Sequence, residues 1–574
     1  MKLLIAFSIV SYFIGSLPFG VWICKAKGVN LMKMGSGNIG ATNVGRVIGW
    51  VPWGIATFFL DVTKGLLPVV IYRLCHALPD GIILVGGMAI LGHFCSVFLK
   101  FKGGKAAATS LGVVFGVNPA LGFIVFGIWL VALILGGYVS LATIIAALAL
   151  ALLSLLFEPS HWISVPLSIF SLLIILKHHS NIKRLWAGKE PTIWEDLTKK
   201  KWAKKPPRPG VLRMGFVVNT TNDPKFFKEK ASQKFKFMKY LPARFVFNVL
   251  RRAIPVVFYS MGRITIRSRT GQVIEMIFHG VPLTASELKK WPSCKTVPVI
   301  TKAVGYLEMQ GCAVVGLGGY TSIAGEGGKV IGDTFKDRLA ITTGNGYTSV
   351  SGVEAFMAIV GKAGYDLSRE SVAIVGVGSV GKSVAILLAP HVKELLLVKH
   401  QADLEPFIRR YQLTNARVVT LSEALKSSKL FVTVTSAIGG LKIESEDFQR
   451  GSIIIDLARP RDIAREVDRR QSLLVIDGGI VAAPEVLDQT FNFGFRPGTL
   501  FGCMTETFLL GLAGRKNGVY SISDGISPEW LDYLSELADQ HGFRVVGRRQ
   551  FDEPLTDSRF RAFLAAADLP GGVK

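Results

Sequence analysis

Long apolar runs in the first 190 residues limit the fold more than any other feature of this 574-residue chain. They cover residues 1–23, 50–72 and 81–99, and then almost everything from 111 to 176. About 20 apolar residues suffice to cross a bilayer as a helix, which satisfies its own backbone hydrogen bonds there. The sequence therefore predicts a multi-pass α-helical membrane domain. No small-residue cleavage pattern follows the first run, so we expect it to be retained as a span.

Basic residues in this part concentrate in three loops, at 25–46, 100–105 and 177–189. By the positive-inside rule these loops share the cytoplasmic side. The chain must then cross an even number of times between Lys105 and Lys177. Helix-breaking pairs in that stretch favour four crossings and seven spans in total, whereas two crossings would give five.

Composition narrows the possible partners. A mean hydropathy of +0.41 indicates a membrane protein, and the net charge of +25 lies largely beside the apolar runs, where it fits anionic lipid. No nucleic-acid-binding module is present, so we expect no nucleic-acid partner. The six cysteines have neither metal-ligand spacing nor a paired pattern, and we expect no metal site.

The loop from Gly35 to Arg46 reads GSGNIGATNVGR. Its glycines let successive N–H groups turn toward one point, which suits a phosphate group. Side chains in the loop add donors, namely Ser36, Asn38, Thr42, Asn43 and Arg46. A flexible polar turn is the alternative for an isolated glycine-rich loop.

Two further loops on the same side carry similar groups. The second contains Gly103, Gly104 and Lys105, and the third runs from His178 through Asn181 to Glu190. Cations, backbone amides and an imidazole from three loops would converge on one pocket, whereas a single loop would be explained as a membrane anchor. Within a span, Asp61 and Lys64 form either a functional buried charge or a structural pair.

These motifs resemble those of the bacterial acyl-phosphate:glycerol-3-phosphate acyltransferases, over residues 1–192. The matching segments are SLPFG from Ser16, the loop ending at Arg46, the KGGK loop, and His178 with Asn181 and Arg184. The resemblance implies a membrane enzyme that forms lysophosphatidic acid from acyl phosphate and glycerol 3-phosphate without a cofactor. Two positions depart from the family pattern, which has proline at Ser96 and glycine at Ala106.

The chemistry implied is the neutralisation of two phosphorylated substrates held close together. Arg46 and Lys105 are the expected cations, and His178 or His93 would accept the hydroxyl proton unless the departing phosphate does. We expect the substrates to contact Ser36, Gly37, Asn38, Asn43, Gly103, Gly104 and Asn181.

The chain changes character after residue 192. A lysine- and proline-rich run at 199–210 indicates a linker, and 226–254 mixes aromatic and basic residues like a helix at a lipid surface or one packed on its own domain. We therefore interpret 193–254 as a basic linker and amphipathic segment, and 255–574 as a soluble α/β domain.

A strand, a G-x-G-x-x-G turn and a helix follow each other from Ser371 to Ser383. This order predicts a Rossmann-type doubly wound sheet at about 350–490, with a pyrophosphate at the helix N-terminus. The next strand leads into Lys399 and His400, and a cation there favours NADPH over NADH. The expected cofactor-binding residues are Gly376, Gly378, Ser379, Val380, Gly381, Lys399 and His400.

Cys503 heads a predicted helix, whose N-terminus should lower the thiol pKa toward the thiolate. A buried structural cysteine is the alternative. The segments around Gly316, Thr343 with Asn345, the nucleotide turn, Asp477 and Cys503 resemble those of the cyanobacterial long-chain acyl-carrier-protein reductases, over about 210–550. The resemblance implies an acyl thioester on Cys503, reduction by NADPH to a fatty aldehyde, acyl carrier protein as a possible partner, and substrate contacts from Thr343 and Asn345.

The sequence thus predicts an acyltransferase joined to a reductase-like domain in a bacterial plasma membrane, with both sites on the cytoplasmic side. Two alternatives stay open for the C-terminal part. It could be an amino-acid or quinate-type dehydrogenase with Cys503 inert, or a non-catalytic domain that binds NADPH or acyl carrier protein and regulates the acyltransferase.

Overall fold

The computed structural model describes residues 2–75, 81–187, 190–193, 207–220, 224–225, 228–229, 232, 239–240, 242–250, 259–398, 403–435, 441, 443–491, 496–522 and 526–570. Most of the predicted amphipathic segment 226–254, together with Lys399 and His400, lies outside these residues. The chain forms two units: Met1–Lys201 with Asn248–Pro255, and Trp202–Phe247 with Val256–Lys574.

The first unit is helical. Its principal helices are α1 Lys2–Gly15, α2 Phe19–Ala26, α3 Ala41–Ile48, α4 Ile55–Leu74, α5 Gly81–Phe94, α6 Ala107–Val117, α7 Pro119–Gly136, α8 Val139–Phe157, α9 His161–Lys177 and α10 His179–Trp186. Leucine, isoleucine, valine and phenylalanine surround most of these helices on every side, as expected for segments in contact with lipid.

Within the described residues, five helices are long and apolar enough to cross a membrane. They are Lys2–Ala26, Trp50–Leu74, Gly81–Leu99, Pro119–Gly136 and Val139–Phe157. A sixth results if α9 and α10, bent by 52° at His178, form one broken span. Helix α6, with 11 residues, is apolar but shorter. The predicted membrane helical domain is therefore confirmed, and the total of seven spans stays a prediction.

The second unit is an α/β structure whose strands form two large sheets. The strands of these sheets are β1 Val211–Thr220, β2 Ser260–Arg267, β3 Val273–Thr284, β4 Val314–Leu317, β5 Ala340–Thr342, β6 Ser371–Val375, β7 Glu394–Val398, β8 Ala416–Val419, β9 Leu430–Thr433, β10 Ile453–Asp456, β11 Leu474–Asp477, β13 Glu485–Gln489 and β15 Gly518–Tyr520. Two short strands, β12 Ile480–Ala482 and β14 Thr499–Phe501, belong to neither of these sheets.

The larger sheet has the order β13-β2-β3-β1-β4-β5-β15, with β2 antiparallel to β3 and to β13 and the remaining pairs parallel. The six-stranded sheet has the order β11-β10-β9-β6-β7-β8, with every pair parallel. Counted from β6, that order is 3-2-1-4-5-6, in which the direction of winding reverses between β6 and β9.

Helices flank both sheets. They are α11 Ala285–Lys290, α12 Ser293–Met309, α13 Lys329–Phe335, α14 Asn345–Lys362, α15 Ser379–Leu388, α16 Glu405–Arg410, α17 Leu421–Ser427, α18 Gly502–Leu512, α19 Pro528–His541 and α20 Asp557–Ala567. Along β6, Val372 and Ile374 pack into one core with α14 and α15, while Ala373 and Val375 pack into another core on the opposite face. Both faces of the parallel sheet are therefore buried.

Strand β1 lies within the range 193–254 that the sequence analysis interpreted as linker and amphipathic segment. It pairs with β3 and with β4 in the middle of the larger sheet. The preceding run of lysines and prolines conceals this strand in the sequence, although its residues from Met214 to Val218 are buried.

Candidate functional sites

The first unit encloses a cavity of about 160 Å³, to which all three predicted loops contribute. Its lining includes the predicted residues Ser36, Asn38, Asn43, Arg46, Lys105, His178 and Asn181. These residues are up to 145 positions apart in the chain, so only the packing of the helices brings them together. The structure therefore brings residues of all three loops to one cavity, as the sequence analysis predicted.

The loop before α3 is organised around Asn43, which is buried. Its Nδ2 donates to the Asn38 carbonyl at 2.9 Å, and its Oδ1 accepts from the Ser36 N–H at 2.9 Å. Gly35 and Gly37 have φ of +61° and +69°, which glycine adopts without strain. Both ends of the Asn43 amide are thus used within the loop, so its role is to shape the loop that presents Ser36 and Asn38.

The glycines before Lys105 lie against the end of α5. The Gly104 N–H donates to the His93 carbonyl at 2.9 Å, and a Cβ at position 103 would lie 2.1 Å from the same oxygen. Only glycine allows this approach. Ala106, the residue that departs from the family pattern, has φ of +54°, a conformation that costs a non-glycine residue about 1–2 kcal/mol.

The third group centres on the break between α9 and α10. His178 Nδ1 lies 2.7 Å from the Ile174 carbonyl oxygen. Because a carbonyl oxygen only accepts, Nδ1 carries the hydrogen and Nε2 keeps its lone pair. Lys105 Nζ donates to Asn181 Oδ1, which connects the second and third loops. Arg46 donates to the Pro191 carbonyl at 3.2 Å.

Glu190 ties the cavity wall together, a role that the sequence analysis did not assign. Its Oε1 accepts from Asn181 Nδ2 at 2.7 Å and from Ser140 Oγ at 2.8 Å, and its Oε2 accepts from Arg184 Nε at 2.6 Å. Its position at the end of the third basic loop was a signal for pairing. Ser140, at the start of α8, had no such signal in the sequence.

Burial and neighbouring charges change the pKa of Lys105. Burial, with further contributions from the nearby Arg184 and Arg46, lowers the Lys105 pKa to about 8, while the Glu190 carboxylate acts in the opposite direction. Burial opposes ionisation of Glu190, but hydrogen bonds from Asn181, Arg184 and Ser140 outweigh it and keep the Glu190 pKa below its usual value. A further anion bound in this cavity would raise the Lys105 pKa again and favour the charged ammonium form.

Residues 5–188 match the family described as glycerol-3-phosphate acyltransferase. The glycerol-3-phosphate acyltransferase of Aquifex aeolicus is 42% identical over 185 residues, which are 95% of that protein and 32% of this chain. This chain belongs to the glycerol-3-phosphate acyltransferase family.

Similar relatives extend this assignment to other bacteria. The family member of Thermus thermophilus is 41% identical over 190 residues, covering 94% of that protein and 33% of this chain. The crystal structure of PlsY (YgiH), an integral membrane glycerol 3-phosphate acyltransferase, in its glycerol 3-phosphate form covers 33% of this chain and 94% of its own, with 38% identity and a TM-score of 0.32. The match to the acyltransferase family ends before residue 192, and most of the remaining two thirds of the chain belongs to the second unit.

The second unit of this family member contains a cleft of about 1160 Å³. Many of the residues predicted for a reductase line it, namely Thr343, Asn345, Gly376, Gly378, Ser379, Val380 and Cys503. They lie just after β5 and β6 and in the first turns of α14, α15 and α18. The nucleotide turn and the cysteine, far apart in sequence, therefore face one space.

The turn after β6 has the backbone geometry of a tight strand-to-helix connection. Gly376 has φ of +100°, and a Cβ at position 381 would lie 2.1 Å from the Gly376 carbonyl oxygen. A Cβ at Gly378 would meet nothing within 4 Å, so the cleft side of the turn is open. Asn345 Nδ2 donates to Ser379 Oγ at 3.2 Å, which joins α14 to the first turn of α15.

Cys503 lies in the first turn of α18, as predicted, but its thiol is not activated. Burial raises its pKa to about 12; backbone hydrogen bonds at the helix start act against this shift, and the Glu506 carboxylate adds to it. The prediction of a thiolate was therefore wrong, because burial outweighs the helix N-terminus. A Cβ at Gly344 would lie 2.3 Å from Cys503 Cβ, so the segment containing Thr343 and Asn345 packs directly on the cysteine.

Two features of this cleft were missed in the sequence. Glu506 is fully buried and accepts from Thr342 Oγ1 at 2.5 Å and from the Tyr347 N–H at 2.8 Å, which fixes the start of α14 beside Cys503. Arg459 lies in the cleft wall, 5.7 Å from the centre of the Phe501 ring. The three-residue spacing between Cys503 and Glu506 was the available sequence signal that the two side chains lie close together, because residues one helical turn apart are neighbours.

Proposed function

We propose that the first unit transfers a fatty acyl group from acyl phosphate to glycerol 3-phosphate and releases lysophosphatidic acid and phosphate. The observation that carries this proposal is the convergence of Arg46, Lys105 and Asn181 on one buried cavity in a chain that belongs to the acyltransferase family. Cations and amides in a cavity shielded from water stabilise the charge of both phosphorylated substrates.

In the proposed reaction the glycerol hydroxyl oxygen bonds to the acyl carbonyl carbon, and the bond from that carbon to the phosphate oxygen breaks. Phosphate leaves with the electron pair, while Arg46 and Lys105 offset its charge. His178 Nε2, whose lone pair is retained, accepts the hydroxyl proton. The leaving phosphate is the alternative acceptor.

The membrane arrangement extends the proposal. We place the chain in a bacterial plasma membrane with seven crossings: the five long helices, α6, and α9, with α10 in the loop that follows. Four of these crossings fall between Lys105 and His178, which leaves the three basic loops on the cytoplasmic side. Cysteine accessibility at Lys102 and Lys183 to an impermeant reagent tests this topology, and labelling from opposite sides would refute it.

For the second unit we propose an NADPH-dependent reduction of fatty acyl groups to aldehydes, with acyl carrier protein as the donor of the acyl chain. Support comes from the cleft shared by the nucleotide turn and Cys503, and from the strand order 3-2-1-4-5-6 of a Rossmann-type sheet. Gly376, Gly378 and Gly381 fit a dinucleotide. A Cβ at position 381 would collide with the Gly376 carbonyl and prevent the tight turn, and the cleft side of Gly378 is open.

When bound, NADPH supplies the hydride for reduction. The chain's own residues would do the rest. The Cys503 sulfur bonds to the acyl carbonyl carbon as the carrier thiol leaves, and the Cys503 proton passes to that thiol. With a pKa of about 12, Cys503 must lose its proton as the substrate binds rather than beforehand. Thr343 and Asn345, which flank Gly344 where it packs on Cys503 and line the same cleft, would orient the acyl carbonyl.

One experiment tests both assignments on the purified full chain in detergent. Acyl phosphate with glycerol 3-phosphate should yield lysophosphatidic acid, and acyl carrier protein thioester with NADPH should yield fatty aldehyde. Oxidation of NADPH with hydroxy or amino acids instead would favour the dehydrogenase alternative. NADPH that alters only the acyltransferase rate would favour a regulatory domain, and absence of lysophosphatidic acid would refute the first proposal.

A further inference from the structure

Two charged residues of α4 lie inside the membrane helices. Asp61 and Lys64 are each 3% exposed, and Lys64 Nζ lies 2.7 Å from Asp61 Oδ1. Removing a charge pair from water costs more than the attraction between its partners usually returns. Charged residues within membrane segments are accordingly rare and commonly serve a site. The location of this pair beside the cavity points in the same direction.

Lys64 has a second contact of its own. Its Nζ donates to the Leu17 carbonyl at 3.0 Å, at the interruption between α1 and α2. Pro18 follows, and a proline has no N–H to continue the helical pattern. Lys64 thus donates to the Leu17 carbonyl between α1 and α2, and Asp61 offsets its charge.

Asp61 has a contact that this pairing does not require. It lines the cavity together with Arg46 and Lys105, and its Oδ1 lies 3.9 Å from Nδ1 of His93 on α5. The same Nδ1 lies 3.1 Å from the hydroxyl of Thr109 in the first turns of α6. The imidazole is therefore hydrogen-bonded to α6, while the α4 carboxylate, at a distance longer than a hydrogen bond, acts on it through its charge.

His93 in turn supports the loop that carries Lys105. Its carbonyl accepts the Gly104 N–H, and a Cβ at position 104 would lie 2.3 Å from His93 Nε2. The backbone of Gly103 and Gly104 thus lies directly on this residue. Because Gly104 packs on the imidazole, a shift of the ring would disturb the packing of the loop that carries Lys105.

We propose that Asp61 is a positioning residue of the acyltransferase site: through His93 it holds the Gly103–Lys105 backbone in the geometry that binds the substrate phosphate. This inference rests on the proposed acyltransferase function. The loop binds glycerol 3-phosphate in the ground state as well as in the transition state, so its displacement should raise KM with little change in kcat.

The test compares Asp61→Asn with the double variant Asp61→Asn/Lys64→Met in the full-length protein. Because Lys64→Met also removes the Leu17 contact, the double variant is compared with Lys64→Met alone, and a simple counter-ion role predicts that Asp61→Asn adds no further rise in KM there. A positioning role predicts that Asp61→Asn raises the KM for glycerol 3-phosphate about tenfold both alone and in the Lys64→Met background, since small displacements in a binding loop have effects of this order or larger. A double variant with the KM of Lys64→Met alone would overturn the proposal.

Thr109 supplies a test that introduces no unpaired charge. Thr109→Val removes the hydroxyl that faces His93 and should raise the same KM, whereas Thr109→Ser keeps the hydroxyl and should restore it. Equal KM values for the two would also overturn the proposal. Glu158→Gln is the matched control, because Glu158 accepts from Asn118 Nδ2 at 3.3 Å outside the cavity. A wild-type protein without turnover would refute the acyltransferase function itself.

Discussion

The cavity of the first unit and the cleft of the second differ in size and in the polar groups that line them. The cavity is small, about 160 Å³, and long polar side chains from distant helices supply its charge. The cleft is larger, about 1160 Å³, and its nucleotide turn acts through glycine backbone rather than charge. In the functions proposed above, two anionic ligands are recognised in different ways: by cations that line a cavity, or by a backbone shaped to approach phosphate.

The sharpest way to separate the two sites is to remove the cysteine of the cleft. Cys503→Ser should lower aldehyde formation by about 10³-fold or more, because loss of a nucleophile has the largest effects seen in enzymes. Lysophosphatidic acid formation by the same preparation should not change. Both products are measured by mass spectrometry. Aldehyde formation at the wild-type rate would remove Cys503 from the mechanism.

The converse change is in the cavity. Lys105→Gln should lower kcat/KM for lysophosphatidic acid formation by about 10²–10³-fold, as when a preorganised electrostatic group is lost, and should leave NADPH binding intact. Lys183→Gln is the control, since Lys183 belongs to the third basic loop but is exposed. Similar losses in both variants would mean that general positive charge, rather than the placement of Lys105, carries the effect.

A pH profile tests the electrostatic half of the comparison. Lys105 has a pKa of about 8, so its ammonium form is lost as the pH rises through that value. We expect kcat/KM to fall about tenfold per pH unit above it, because kcat/KM reports groups of the free enzyme. The limb in kcat should lie at higher pH, since the bound phosphate favours the charged lysine. Lys105→Arg should abolish the limb, and its persistence there would assign it to another group.

A pair of glycine substitutions tests the backbone half. A Cβ at Gly381 would lie 2.1 Å from the Gly376 carbonyl, whereas one at Gly361, in α14, would meet nothing within 4 Å. Gly381→Ala should raise the Kd for NADPH about tenfold or more, which corresponds to about 1.4 kcal/mol. Gly361→Ala should leave it unchanged. Calorimetric titration of the full chain decides, and equal Kd values would argue against a dinucleotide at this turn.

The smallest expected effect concerns the family departure at Ala106. Ala106→Gly relieves a left-handed conformation worth about 1–2 kcal/mol but loses a buried methyl group and gains chain entropy on unfolding, so stability should change little. Ala108→Gly, within regular helix α6, should destabilise by about 1 kcal/mol. Unfolding midpoints in detergent compare the two. A larger loss in Ala106→Gly would show that this residue is not strained.

The predictions from sequence succeeded where one segment contains its own explanation. The apolar runs specified membrane helices, and the turn from Gly376 to Gly381 specified strand, turn and helix in order. They failed at β1, hidden behind a basic run, and at the Cys503 thiol, whose pKa depends on burial. Glu190 was noticed as part of a loop, but its hydrogen-bond partners include Ser140, which lies 50 positions away at the start of α8, as well as Asn181 and Arg184 of α10.

The sequence by itself determined which segments form long apolar helices, which loops carry glycines and cations, and that the C-terminal part is α/β, because these follow from local periodicity and composition. Only the tertiary structure decided that Asp61 lies beside His93, that Asn43 shapes its own loop, and that burial raises the pKa of the partly exposed Cys503 thiol. Distance and burial are set by contacts between residues far apart in the chain, and no local pattern encodes them.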